Sequence, residues 1–134
     1  MKKYENFSNH LRILSTASEQ NLENAFIVSG IIDKFFIQFE LGWKLCKVIL
    51  KYEGDSVGAT GSPREIIKAV YRYFDFMDED VWLEMLKARN DMTHIYDGNA
   101  ANRFVAEILA RYIPEFVNFE KGIFSLYGDG VQKF

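Results

Sequence analysis

Phe35-Phe36-Ile37-Gln38-Phe39-Glu40-Leu41-Gly42-Trp43-Lys44-Leu45-Cys46-Lys47-Val48-Ile49-Leu50-Lys51 reads as the body of one long helix that needs cover on more than one side. The charged residues Glu40, Lys44, Lys47 and Lys51 step by four and three, so at about 100° per residue they share a single stripe. Phe35, Phe36, Phe39, Trp43, Cys46, Ile49 and Leu50 take up most of the remaining circumference. A helix this apolar is buried against several neighbours. The chain is therefore expected to be all-α, with this second helix running from about Glu23 to Glu53.

The flanking sequence supplies the cover. Phe7, Leu11, Leu14 and Ala17 recur at helical spacing with polar residues between them, which predicts a one-sided first helix over about Tyr4 to Gln20. Ser62-Pro63-Arg64-Glu65 combines an N-cap serine, a proline at the first helical position and a glutamate that reaches back to the cap. A third helix starts there and is expected to run to about Phe74. Asp78 can cap a fourth, which buries Val81, Trp82, Met85 and Leu86 before the chain reaches Arg89. Asn99 can cap a fifth, continuing through Phe104, Ile108 and Tyr112 to about Phe124 with a kink at Pro114. The expected architecture is an antiparallel up-and-down bundle of four long helices and a short one, forming one domain over residues 1–134. The tail from about residue 126, with Gly128 and Gly130, is expected to be loose or to dock on a partner.

Composition narrows the function. With 134 residues, 49% of them hydrophobic, the chain can bury one core and is not expected to be disordered. Sixteen basic against 19 acidic residues give a net charge of −3, which argues against a surface built to coat duplex nucleic acid, so no DNA partner is expected. The single cysteine, Cys46, lies in an apolar run; an intrachain disulfide is excluded and the cytoplasm is the expected compartment. The lysines at the N-terminus precede no apolar stretch, and the most apolar segment, Phe26 to Ile32, is cut by Asp33 and Lys34. Neither a signal peptide nor a membrane span is expected.

Chemically capable side chains crowd in Arg89-Asn90-Asp91-Met92-Thr93-His94-Ile95-Tyr96-Asp97. On a continuous helix Asn90, His94 and Asp97 share one face and Arg89 and Tyr96 share another. Arginine offers phosphate a permanently charged fork, and a neutral histidine exchanges a proton near pH 7. Asn90, one turn before His94, can hold the imidazole in one tautomer. Five residues of helix separate Arg89 from His94 by about 140°, so one chain does not easily bring both to one phosphate. Two chains facing each other can.

Other features have plainer explanations. Gly54, Gly58 and Gly61 lack the Lys-Ser/Thr ending of a phosphate loop and read as a flexible connection. Asp75, Asp78, Glu79, Asp80 and Glu84 suit the positive end of a helix dipole, and with no His or Cys ligand nearby no metal site is expected. His10 sits at the edge of the first helix's apolar stripe. Glu40 belongs to the charged stripe, unless it points into a site shared with the fourth helix. The many aromatics fit core and interface better than a base-stacking platform.

The order Arg89, four residues, His94, one residue, Tyr96, with Asn90 and Asp97 in place, resembles the motif of the HEPN superfamily. It is most similar to the helical proteins encoded beside minimal nucleotidyltransferases and described as nucleotidyltransferase substrate-binding proteins. Phe39-Glu40-Leu41-Gly42-Trp43-Lys44, Ser62-Pro63-Arg64-Glu65 and Val81-Trp82-Leu83-Glu84-Met85-Leu86 extend the likeness from the second helix to the start of the fifth. The resemblance implies a homodimeric helical bundle with both motifs near the interface, and a separate nucleotidyltransferase partner. For toxin-like members it implies metal-independent cleavage of RNA, restrained by transfer of AMP to the motif tyrosine, here Tyr96. Arg89, His94 and Asn90 would then be catalytic, Tyr96 and Asp97 modified or ligand-contacting, and Glu40 and Trp43 supporting, with no cofactor. The alternatives are a non-catalytic subunit that holds a nucleotide or acceptor substrate for the partner, and a helical assembly module whose motif is a hydrogen-bonded helix end.

Overall fold

Short polar side chains, Asn24, Ser62 and Asp78, set the starts of three helices. The helices of the computed structural model, which describes residues 2–134, are α1 (Lys3–Leu14), α2 (Ala25–Tyr52), α3 (Val57–Thr60), α4 (Pro63–Tyr71), α5 (Glu79–Asn90), α6 (Gly98–Glu107) and α7 (Ile113–Tyr127), with no strand among the described residues. Asn24 opens α2 by accepting from the N–H groups of Phe26 and Ile27 at 2.9 and 3.2 Å. Ser62 and Glu65 form the expected reciprocal box at the start of α4, and Asp78 caps α5 through the Val81 N–H at 3.2 Å. Each such cap is worth about 1 kcal/mol to the helix it starts.

The fold is an all-α helical bundle organised on α2, which packs against α1, α3, α4, α5 and α6. Ile32, Phe35, Phe39, Leu45, Cys46, Ile49 and Leu50 of α2 are fully buried, in one cluster with Phe7, Trp82, Phe116 and Phe119. Burying a side chain of this size contributes roughly 1.5–3 kcal/mol, so the central helix holds the bundle together. Burial also pushes the Cys46 thiol far above its ordinary pKa and leaves it a packing residue. Gly42 lies where the Trp82 indole crosses α2; a Cβ there would stand 2.8 Å from the ring. The close approach accounts for a residue that costs a helix interior about 1 kcal/mol.

Two buried polar side chains tie the helices in register. Gln38 of α2 donates to the Phe7 carbonyl at 3.0 Å and meets His10 Nδ1 at 2.6 Å, so His10 is a bonded boundary residue joining α1 to α2. Glu115 of α7 accepts from the Asp78 N–H at 2.9 Å and from Trp82 Nε1 at 3.0 Å. Burial raises its carboxyl pKa, against the pull of those two bonds.

Several expected boundaries move. The first helix stops at Leu14 and continues as a 3-10 turn over Ser15–Glu19, where the Thr16 hydroxyl donates back to the Ile13 carbonyl at 2.8 Å. The third ends at Tyr71, short of Phe74. The expected fifth helix is two, α6 and α7, joined by a π-turn over Ile108–Tyr112. Pro114 has no N–H and its ring crowds the carbonyl four residues back, so the ladder widens just before it. Residues 54–61 are not a plain flexible connection: α3 forms there, with Gly58 buried on α2 where a Cβ would lie 2.9 Å from the Lys51 nitrogen. The tail is seated on its own bundle rather than loose, burying Val131 and Phe134 and giving the Phe134 carbonyl to the Lys3 N–H at 2.6 Å.

Candidate functional site

The 89–97 segment is not one helix. α5 ends at Asn90, a 3-10 turn covers Met92–His94, and Asp97 stands in extended conformation at the N-cap position of α6. The expected shared face of Asn90, His94 and Asp97 therefore does not form, and neither does the 140° separation of Arg89 from His94. Asn90, Asp91 and Thr93 are poor helix formers whose side chains compete with the backbone ladder, and Asp91 puts negative charge at the helix's carbonyl end. Asp97, not Asn99, occupies the cap position of the next helix, without a side-chain capping bond.

α2 holds what the broken helix does not. Glu40 Oε1 accepts from Arg89 Nε at 2.8 Å while Oε2 accepts from Trp43 Nε1 at 2.9 Å, so one carboxylate bridges the two. This bond engages the guanidinium through Nε, and neither Nη bonds to Glu40. Asn90 turns to that arginine rather than to His94, its Oδ1 accepting from Arg89 Nη1 at 3.4 Å. Glu40 thus joins α2 to the end of α5 rather than standing free in a solvated stripe. Both side chains of the ion pair remain about one-third exposed, at 34% and 30%, which limits its contribution to stability to roughly 0.2–1 kcal/mol.

Tyr96 donates its hydroxyl to Asp33, also on α2. Partial burial pushes the phenol up to about 12, and the bond to Asp33 and its negative charge add to the rise. His94 is exposed and makes no side-chain hydrogen bond among the described residues, so its imidazole is open to an incoming group. Beside Arg89 lies an open cleft of about 410 Å³ walled by Phe36, Ile37, Leu41 and Met92, with Ile37 half exposed. A second cleft of about 510 Å³, lined by Leu22, Val28, Ser29, Asn99 and Asn102, opens on Tyr96.

A family model described as nucleotidyltransferase substrate binding protein like matches residues 1–124. The chain belongs to that family. No curated protein matches it. The span shared with the nucleotidyltransferase substrate binding protein like family takes in Asp33, Glu40, Trp43 and the whole 89–97 segment, and the family's description pairs its members with a nucleotidyltransferase. Among the described residues of this family member no helix is long and apolar enough to cross a membrane, and no three His, Cys, Asp or Glu side chains gather as metal ligands would.

Asp33 is the contact to the 89–97 segment that sequence reasoning passed over, reading it only as an interruption of an apolar segment. Its signal was its position: an acid seven residues before Glu40, about two turns up the same helix.

Proposed function

We propose that this chain is the HEPN subunit of a bacterial two-component pair with a minimal nucleotidyltransferase. It acts in the cytoplasm as a homodimer that cleaves RNA without a metal ion, and the partner restrains it by transferring a nucleotide to Tyr96. The observation that carries this reading is the display of Arg89, His94 and Tyr96 on one exposed junction, with Arg89 and Tyr96 anchored to α2 and His94 unengaged. His94 takes the proton of a ribose 2′-hydroxyl as that oxygen attacks the adjacent phosphorus; the bond from phosphorus to the 5′-oxygen of the next nucleotide breaks, and that oxygen leaves with the electron pair and takes a proton from water. The Nη fork of Arg89, steadied by Glu40 and Asn90, meets the charge that builds on the phosphate. The apolar cleft of Phe36, Ile37, Leu41 and Met92 faces the second copy, whose imidazole completes the site.

Cleavage of RNA by purified protein in the presence of a chelator tests the proposal. His94→Ala should lower the rate by about 10²–10⁴ with the dimer intact. RNA left uncut by the wild-type protein, or cut equally by the variant, would count against it.

The family's description and the cleft beside Tyr96 favour a second reading, in which the chain holds a nucleotide or acceptor for its partner without cutting RNA. Arg89 and Tyr96 would then be ligand contacts. Calorimetry with nucleoside mono- and triphosphates separates the two: binding heat without cleavage favours the holding role.

A further inference from the structure

We infer that Asp33 is the general base for nucleotide transfer to Tyr96, accepting the phenolic proton as the hydroxyl attacks. The inference rests on the reading of Tyr96 as the modified residue and adds a catalytic group supplied by the acceptor protein itself. Three observations support it. The Tyr96 hydroxyl donates to the Asp33 carboxylate across 63 residues of chain, so the contact is a product of packing and not of local sequence. Asp33 is exposed on α2, and no other side chain is hydrogen-bonded to it among the described residues, so the carboxylate can take up a proton. Tyr96 remains 38% exposed and borders the 510 Å³ cleft, which Glu23 also lines, so the side chain is reachable from solvent.

Chemistry favours a base. With its phenol held up to about 12, Tyr96 is ionised in only ~1 molecule in 10⁵ at pH 7, so attack by a preformed phenolate is a poor route. Transfer of the proton during attack avoids that population cost, and the acceptor is already in contact. In the step, Tyr96 Oη forms a bond to the α-phosphorus of a nucleoside triphosphate presented by the partner enzyme. The bond from that phosphorus to the bridging oxygen breaks, pyrophosphate leaves with the electron pair, and the phenolic proton passes to a carboxylate oxygen of Asp33. Nothing is oxidised or reduced.

The experiment follows nucleotide addition to the full chain by intact mass, with the partner nucleotidyltransferase and ATP at saturating concentrations so that chemistry rather than binding is read. Asp33→Asn should slow addition by about 100-fold or more, and Asp33→Glu, which keeps a base on a longer arm, should recover most of the loss. An independent reading comes from ¹³C-labelled tyrosine NMR, in which the titration midpoint of Tyr96 should fall in Asp33→Asn as the neighbouring charge is removed. Equal rates for wild type and Asp33→Asn, or an unmoved midpoint, would overturn the role of Asp33 while leaving Tyr96 as the acceptor. A wild-type chain that gains no nucleotide mass would overturn the reading of Tyr96 and this inference with it.

Discussion

Asp33 and Glu40 stand about two turns apart on α2, and each takes one side chain of the 89–96 segment. Glu40 accepts from Arg89 Nε at 2.8 Å, and Asp33 accepts from the Tyr96 hydroxyl. The central helix of the core thus also carries the polar partners of that segment. A rigid, buried element positions groups more closely than the broken segment that bears them could alone.

The Arg89–Glu40 pair predicts a separation of activity from stability. Because both side chains are about one-third exposed, Arg89→Ala should cost under about 1 kcal/mol in urea unfolding. RNA cleavage should fall by about 10²–10³, as expected for loss of a donor to transition-state charge. A large stability loss with no change in cleavage would make the pair a structural clamp only.

The apolar cleft beside Arg89 predicts where the proposed dimer makes its contact. Ile37 is half exposed and Met92 is 40% exposed, an arrangement suited to burial by a second copy. Ile37→Asp should shift the protein to monomer in sedimentation velocity with its helical circular dichroism unchanged, and should abolish cleavage. A variant that stays dimeric would move the interface elsewhere.

Gly42 predicts overpacking. A methyl group 2.8 Å from the Trp82 ring forces the indole or α2 to shift, at a cost of about 1–3 kcal/mol, against a gain in helix propensity of about 1 kcal/mol. Gly42→Ala should therefore lower stability in chemical unfolding and perturb tryptophan fluorescence. A stabilised variant would show that the ring moves freely.

Glu115 predicts a pH dependence of opposite sign to that of a salt-bridged acid. Burial holds its carboxyl above the ordinary value of 4.5, so between 4.5 and the folded value the folded chain binds more protons than the unfolded one. Its contribution to stability is most favourable below that window and is lost as pH rises through it. Glu115→Gln keeps an acceptor oxygen for Trp82 and for the Asp78 N–H without the charge. Measured by unfolding at successive pH values, the variant should gain on the wild type as pH rises from about 4 to 7. A difference that stays flat across that range would remove the burial argument.

The sequence alone determined the helical class, the apolar second helix and the starts of α4 and α5, because periodicity, Ser62-Pro63-Arg64-Glu65 and the Asp78 cap act within one or two turns of chain. It also marked out Arg89, His94 and Tyr96 as a group. Tertiary structure decided what that group touches. Arg89 meets Glu40 across 49 residues and Tyr96 meets Asp33 across 63, contacts that exist only once α5 and the turn after it are laid against α2. The same holds for Gly42, whose place in a helix interior makes sense only beside the Trp82 ring. It holds too for the break at Asp91, where marginal local preferences leave the chain free to turn as the packed bundle requires.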